Sequence, residues 1–413
     1  MRCRALGQWL ERLGIDVEFQ GEDAEISADW LVVDHYGLDA EWESRARAGA
    51  RAIMALDDVP SRRHDCDLLL DQNSEAADDA YRPLLPAHCR TLLGPRYALL
   101  RAEFAAQRRR MKRGFGKVSR VLVFFGAADR AGWMPGAVEA VRAALPRAHI
   151  DAITGAGGTD RMHELMAAAD LAVGAAGSAT WERCCLGLPA ILIATAPNQV
   201  AVAATATRAG AARSLGRSEE VARDALVAEI AALAADRAAR AKMSEAGMRL
   251  VDGKGAQRVG EALFPLDVRI AAEADKRLLW EWANDRAVRD NAFSRDEIPW
   301  ADHERWFAQR LADARCRIYI GGLGGRPVGQ VRFEPEGEGF KVDISLGEGC
   351  RGLGLGGPLL EAAIARFLSD HPGASLVANV LRGNAASEAL FAAHGFERTD
   401  SGPRAASFRR SPA

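Results

Sequence analysis

From residue 28 to 264, short apolar runs that end in polar residues alternate with stretches of helical period. The first of them are "WLVVDHYGL", "ARAIMALDDV", "CDLLLDQN" and "CRTLLGPRYALL". Brief apolar runs separated by helical segments predict parallel strands joined by crossover helices, which excludes an all-helical or all-antiparallel front half. "RVLVFFGAAD" restarts the rhythm, which continues through "HIDAITGAG", "ADLAVGAAGSATWERCCLGLPAILIATAPNQ" and Ala-rich helices to Phe264, where Pro265 marks a boundary. Between the two α/β units lies the basic stretch "QRRRMKRGFGK", which reads either as a solvated helix end plus linker or as a phosphate or polyanion site. After Pro265 the texture changes. "LDVRIAAEADKRLLWEWAND" predicts two helices, and "CRIYIGGLGGRPVGQVRFEPEGEGFKVDISLGEG" predicts three short strands with Gly-rich hairpin turns. A Gly-rich loop, a helix, the strand "SLVANVL", a last helix and a closing strand with a frayed tail complete the chain.

At 413 residues the chain is too long for one ordinary core. The expected class is α/β: two Rossmann-like domains, residues 1–113 and 118–264, then an α+β domain, residues 266–413. With 54 basic and 56 acidic residues the formal charge is -2, so nothing in the charge balance points to nucleic acid. The longest apolar stretches, "LAVGAAG" and "LPAILIATA", are broken well short of a membrane span, and no segment reads as a signal peptide. Seven cysteines without a metal-type C-x-x-C pair suit a reducing cytoplasm and no metal. The oligomeric state is not legible.

The opening "MRCRALGQWLERLGIDVEF" has Leu6, Trp9, Leu10 and Leu13 at helical spacing, Gly14 as a stop, and Ile15, Val17 and Phe19 alternating like a strand. No strand and no capping residue precedes that helix. "GAAGSATWERCCLGLP" runs from a strand end into a helix beginning near Ser178. Gly177 lets a ligand approach the backbone, and the unpaired first amides of Ser178, Ala179 and Thr180 favour an anion such as a diphosphate. Glu182 in the first turn is an acceptor suited to a ribose diol. The alternative is a Gly-Ser helix cap with a solvent-facing Glu.

"GAAGSATWERCCLGLPAILIATAPNQ", together with "VVDHYGLDAEWE", "LLDQN", "LLGPRYALLRAEF" and "FFGAAD" in the same order, resembles the UDP-sugar hydrolase family of pseudaminic acid biosynthesis, a relative of the GT-B glycosyltransferases. In "FFGAAD" the family usually has two glycines, where this chain has Ala127 and Ala128. The resemblance implies two Rossmann-like domains, UDP on the second and the sugar on the first. It also implies attack of water at the anomeric carbon, with release of UDP and 2,4-diacetamido-2,4,6-trideoxy-L-altrose. Asn198 and Gln199 are implied in diphosphate or hydroxyl contacts, and Arg2, Asp34, His35 and Tyr36 in contacts on the sugar side. In the family "MRC" follows a strand and a Gly-rich turn that carries the catalytic His. The expectation is therefore that translation starts upstream of Met1; the alternative is a front half that only binds UDP-sugar, with His35 as a substitute base. A glycosyltransferase is the third reading.

In the last domain, Arg351, Gly352, Leu353, Gly354, Leu355, Gly356 and Gly357 lie between a strand and a helix. Read by itself the loop is either a tight turn or an anion-binding helix entry. "RGLGLG" resembles the acetyl-CoA loop of the GNAT N-acetyltransferases, and "NVLRGNAASEALFAAHGFER" their next strand and helix, which implies cofactor contacts for Asn384 and Ser387. "WEWANDRAVRDNAFSRDEIPWADHERWF" is similar to the opening of acetyltransferases of amino sugars, in particular those acting on the 4-amino group of UDP-4-amino-4,6-dideoxy-N-acetyl-β-L-altrosamine. The resemblance implies acetyl-CoA as co-substrate and a carbonyl polarised by a backbone amide near Ile344 to Leu346. Asp343 or Glu348 is the expected proton acceptor, each also readable as a solvated loop residue. Many GNAT enzymes have a proton-donating Tyr where this chain has Phe391, and His394 reads as a helix-end residue.

Overall fold

A computed structural model of the chain describes residues 2–411, apart from 23, 75–77, 127, 128, 130, 131 and 155–158. The "FFGAAD" alanines and Met1 lie outside the described residues. Two compact units result: Met1–Gln8 with Glu18–Val259, and Trp9–Val17 with Gly260–Ala413. Helix α1 (Arg2–Arg12) contributes to both, with Leu6, Trp9, Leu10 and Leu13 buried, and Gly14 ends it at φ +73°, where glycine is favoured.

In the first unit, β1 (Ala28–Val33), α2 (Ala40–Ala46), β2 (Ala50–Leu56), β3 (Leu68–Asp71), α3 (Asp78–Tyr81) and β4 (Arg90–Leu93) build a parallel sheet of order β1-β2-β3-β4. The Asp39 carboxylate caps α2 by accepting the amides of Glu41 and Trp42. Among the described residues β1 pairs only with β2. The strand expected over Ile15 to Phe19 does not form: residues 15–20 carry no regular structure and Phe19 is 56% exposed. Alternation alone does not make a strand when no ladder is available to take its backbone groups.

Helix α4 (Ala102–Arg110) leads to a second parallel sheet. It contains β5 (Arg120–Phe124), β6 (His149–Ala152), β7 (Leu171–Ala175), β8 (Ala190–Ala194) and β9 (Arg213–Arg217) in the order β6-β5-β7-β8-β9. Its helices are α5 (Trp133–Ala144), α6 (Met162–Ala168), α7 (Ala179–Cys185), α8 (Gln199–Arg208), α9 (Arg223–Ala235), α10 (Arg237–Leu250) and α11 (Gly255–Leu263). Strands β7 and β8 are buried along their whole length, as apolar runs covered on both faces must be. The basic stretch after α4 has a use that neither sequence reading foresaw. Arg108 donates to the carbonyls of Cys185, Met248 and Val251, and Arg113 to those of Met166, Ala169 and Leu186. These are carbonyls at helix C-terminal ends, which have no partner inside the helix, so the arginines act as half-buried caps. Burial pushes Arg113 down to about 10.

The second unit opens with a strand that sequence reading missed, β10 (Leu266–Ile270), whose residues Leu266, Val268 and Ile270 alternate with polar neighbours. It pairs antiparallel with β11 (Arg317–Leu323), after α12 (Lys276–Asn284), α13 (Arg286–Asp290) and α14 (Trp300–Ala312). Then come β12 (Arg326–Glu336), β13 (Gly339–Leu346), α15 (Gly356–Asp370), β14 (Leu376–Leu381), α16 (Ala385–Ala393), β15 (Glu397–Ser401) and β16 (Ala405–Arg410). The sheet order is β10-β11-β12-β13-β14-β16-β15. Phe333 stacks on Phe367 at 4.1 Å, joining the sheet to α15. Strands β13 and β14 pair in parallel only at Phe340–Leu376 and Lys341–Val377, so the sheet opens beyond Lys341.

Candidate functional site

The first unit gathers polar groups at the C-terminal ends of its parallel strands, where open α/β sheets hold ligands. Strand β7 ends at Ala175, Gly177 follows, and Ser178 stands at the N-cap of α7 without a capping side-chain bond. The Thr180 amide donates to the Gly177 carbonyl at 2.9 Å, which corrects the expectation that it is unpaired. The Thr180 hydroxyl is buried without a partner. Glu182 is half-buried rather than solvent-facing and has no hydrogen-bond partner among the described residues. Burial pushes its carboxyl up to about 7, against the pull of Arg101 and Arg183. Next to it Arg183 is wholly buried and donates to the carbonyls of Ala175 and Phe124, tying the ends of β7 and β5 together.

On the other sheet, Arg2 holds Asp34 through two nitrogens, Nε at 3.0 Å and Nη2 at 2.6 Å, and the Cys3 thiol donates to the same carboxylate. Although burial works against it, the Arg2 guanidinium keeps Asp34 below the usual carboxylate range, while burial pushes the Cys3 thiol up to about 12. Tyr36 Oη donates to Asp58 at 2.6 Å, and Asn198 Nδ2 lies 3.4 Å from Tyr36 Oη. Asn73 Nδ2 donates to Asp58, and Trp181 Nε1 donates to Asn73 Oδ1 at 2.9 Å. Arg2, Asp34, Tyr36 and Asn198 thus meet in one network, held together by Asp58 and Asn73, which sequence reasoning missed. The available signal was position, because "DD" in "ALDDV" and "QN" in "LLLDQN" follow directly on strand ends.

His35 stands apart from that network, exposed, its Nδ1 accepting the Gly37 amide at 3.1 Å. Gln199 Oε1 accepts from the Thr195 amide and hydroxyl, which turns its nitrogen toward Gly177; a β-carbon on Gly177 would lie 3.8 Å from it. Behind Asp58, His64 is buried between Glu43 (2.8 Å from Nδ1) and Asp57 (3.1 Å from Nε2). Burial favours the neutral ring, but the bonds to Asp57 and Glu43 win and raise His64 to about 9.

In the second unit Gly352 and Gly354 turn the chain into α15 at φ +73° and +85°, conformations that L side chains rarely adopt, with Leu353 and Leu355 buried between and after them. Gly356 and Gly357 begin α15. Arg351 is already engaged: it pairs with Asp285 at 2.7 Å and donates to the Leu346 carbonyl. Asn384 caps α16 by accepting the Ser387 amide at 3.1 Å. Ile344 and Leu346 sit on β13 past its last pairing with β14, so that edge has backbone groups outside any ladder. Asp343 shares a sheet face with Gln330 and Ser345, whereas Glu348 is exposed in the following turn. Phe391 is buried against Phe396 and Phe408 as a core residue, and His394 Nδ1 lies 2.7 Å from the Leu390 carbonyl at the end of α16.

Among the described residues no group of three or more His, Cys, Asp or Glu is arranged to hold a metal, and no helix is long and apolar enough to cross a membrane.

Comparison with known proteins follows this division. Residues 266–397 match the acetyltransferase (GNAT) domain, and residues 142–258 match the glycosyltransferase family 28 C-terminal domain. The spore coat polysaccharide biosynthesis protein SpsG of Bacillus subtilis is 35% identical over 26% of this chain and 32% of its own length. The UDP-2,4-diacetamido-2,4,6-trideoxy-beta-L-altropyranose hydrolase of Campylobacter jejuni is 34% identical over 18% of this chain and 27% of its own. The chain therefore covers about a third or less of these relatives. Among solved structures, the spermidine N-acetyltransferase of Vibrio cholerae is 15% identical with a TM-score of 0.32, covering 35% of this chain and 92% of that one. The aminoglycoside acetyltransferase AAC(6')-Ib is 20% identical with the same TM-score, covering 35% of this chain and 93% of that one. The chain thus joins a glycosyltransferase family 28 C-terminal domain, a nucleotide-sugar module, to a GNAT acetyltransferase domain.

Proposed function

We propose that the chain is a bifunctional nucleotide-sugar enzyme with domains 1–113, 118–264 and 266–413. Its second unit transfers an acetyl group from acetyl-CoA to the 4-amino group of a UDP-4-amino-4,6-dideoxy sugar. Its first unit binds the diacetamido UDP-sugar so produced and releases UDP by hydrolysis. The observation that carries the reading is Glu182: a half-buried carboxylate without a hydrogen-bond partner among the described residues, one turn into α7, next in the chain to Trp181, which bonds Asn73 of the network of Arg2, Asp34, Tyr36 and Asn198. It suits a ribose diol, with the diphosphate at Gly177, Ser178 and Ala179 and the sugar toward Tyr36, Asn198 and Gln199.

In the acetyl transfer, the thioester carbonyl lies at the open edge of β13, where an amide between Ile344 and Leu346 polarises it. The loop Gly352 to Gly356 receives the pyrophosphate, with Asn384 and Ser387 beside the cofactor arm. Asp343 is favoured over Glu348 as proton acceptor because it faces the polar strip of the sheet. With Phe391 in the core, solvent protonates the leaving thiolate. A relative named as a UDP-2,4-diacetamido-2,4,6-trideoxy-beta-L-altropyranose hydrolase supports the sugar class.

A second reading, UDP-sugar binding without hydrolysis, is favoured by one observation. His35 Nδ1 is taken by the Gly37 amide, and Asp34 and Asp58 are taken by Arg2 and Tyr36, so the three bases on the sugar side are each engaged by a described residue. The test is to supply the purified chain with acetyl-CoA and UDP-4-amino-4,6-dideoxy-N-acetyl-β-L-altrosamine and follow free CoA and free UDP together. CoA followed by UDP is the expected result. CoA alone, with UDP-sugar retained, supports the second reading, and neither product overturns both.

A further inference from the structure

Strand β12 turns Val331 and Phe333 into the core around α15 and therefore presents Gln330 and Arg332 on the opposite face. Their cross-strand neighbours on β13 are Ser345 and Asp343. Gln330 Nε2 donates to Asp343 Oδ1 at 3.0 Å and to Ser345 Oγ at 3.2 Å. Arg332 reaches the same Oδ1 at 3.8 Å and lies 5.0 Å over the Trp306 ring. A carboxylate only accepts, so the Gln330 amide has one possible orientation, nitrogen toward Asp343. Its Oε1 is then buried with no donor. Asp343 Oδ2 has no partner among the described residues, although the side chain is 45% exposed. At the end of β13 the Trp282 indole nitrogen, also without a partner there, would stand 3.1 Å from a β-carbon on Gly347.

We infer that this strip is the subsite for the primary amine acceptor, with Gln330 as its positioning residue; the inference rests on the acetyl transfer proposed above. Gln330 and Arg332 occupy Asp343 Oδ1 and leave Oδ2 toward the amine. The amine lone pair attacks the thioester carbon, a C–N bond forms and the C–S bond breaks. The nitrogen proton passes to Asp343 and from it through water to the CoA thiolate, which restores the carboxylate. Gln330 Oε1 receives the second amine hydrogen, a donor that no described residue supplies. Asp343 attracts the amine, while the Trp282 N–H suits an acceptor oxygen on the same molecule, as an amino sugar carries beside its nitrogen.

The test compares full-length wild type, Gln330→Met and Gln330→Glu with acetyl-CoA and a panel of amines: the UDP-4-amino sugar, glucosamine, spermidine and a peptide N-terminus. Gln330→Met is expected to raise the amine KM about tenfold, the loss of one buried hydrogen bond to an acceptor, while the CoA dissociation constant stays within twofold. Gln330→Glu keeps an acceptor for the amine but sets a second carboxylate against Asp343. A merely structural role makes it the worse variant; the subsite makes it the better one. A folded Gln330→Met with an amine KM within twofold of wild type, or Gln330→Glu worse than Gln330→Met, overturns the subsite. Should Gln330→Met not fold, Asp343→Asn decides, since kcat within twofold of wild type overturns the assignment. Acetylation of another amine but no sugar sinks the sugar reading and leaves the Gln330 comparison on that amine to judge the subsite. No acetylation of any primary amine overturns the subsite.

Discussion

Both units set a helix after a strand end, yet they equip the two ends differently. In the first unit the strands are parallel, and the polar groups gathered at their ends are largely side chains: Glu182, Asp58, Tyr36, Asn198 and the buried Glu43–His64–Asp57 cluster. In the second unit the ladder between β13 and β14 opens after Lys341, and the helix is entered through left-handed glycines, so at that opening and loop it is the backbone that supplies polar groups. The difference teaches that a site made of ionisable side chains is governed by pH and by buried charge. A site made of amides is governed by the conformation of the chain.

The sharpest way to separate the two is to damage one alone. Gly174 lies on β7, and a β-carbon there would stand 2.0 Å from the Phe124 carbonyl oxygen of β5. Gly174→Val is expected to destabilise the first unit by about 4 kcal/mol or more, since backbone overlap has no cheap relief. The variant should lose UDP affinity and keep CoA affinity, which calorimetric titration of both ligands checks. Retained UDP binding would mean the sheet adapts.

Next comes pH. The folded His64 value of about 9 lies above the ordinary 6.5, so the stabilisation is fully present below pH 6.5 and is lost as pH rises through 9. The shift corresponds to about 3 kcal/mol at most. Melting of the first unit is expected to fall between pH 7 and 10 in wild type and to change little over that range in His64→Gln. Identical pH dependence in both would remove His64 from the account.

For the second unit, Gly352→Val forces a β-branched residue to φ +73° and is expected to weaken CoA binding about 5- to 30-fold, equivalent to the 1–2 kcal/mol of left-handed strain. The loss should be the same at pH 6 and pH 8, because amides do not titrate. A pH-dependent loss would contradict the backbone character of that site.

The smallest effect expected is on uridine, which carries no phosphate and so isolates Glu182. A diol donates to an ionised carboxylate, so affinity should rise severalfold as pH increases through about 7, and Glu182→Gln should flatten that profile. A flat wild-type profile would remove Glu182 from the ribose contact.

Much of the fold was legible because burial leaves a period in the chain. Strands β7 and β8 read as strands since both faces must be apolar, and Gly352 and Gly354 read as a loop since few other residues adopt those angles. Legibility failed where a partner distant in sequence decides. Ile15, Val17 and Phe19 alternate as β10 does, yet only β10 finds a ladder. Arg108 and Arg113 look like a solvated basic run until helix ends far along the chain take up their hydrogens. Asp58 and Asn73 are ordinary loop residues until Tyr36 and Trp181 meet them.

The sequence by itself determined the α/β front half, the α+β end, the glycine turns and the helix entry at Ser178, because these follow from local period and local backbone freedom. Only the tertiary structure decided which charges are buried and what they touch: Arg351 with Asp285 rather than free, Asp343 with Gln330, His64 between two carboxylates. Electrostatic and hydrogen-bond energies depend on distances between residues far apart in the chain, and those distances exist only once it has folded.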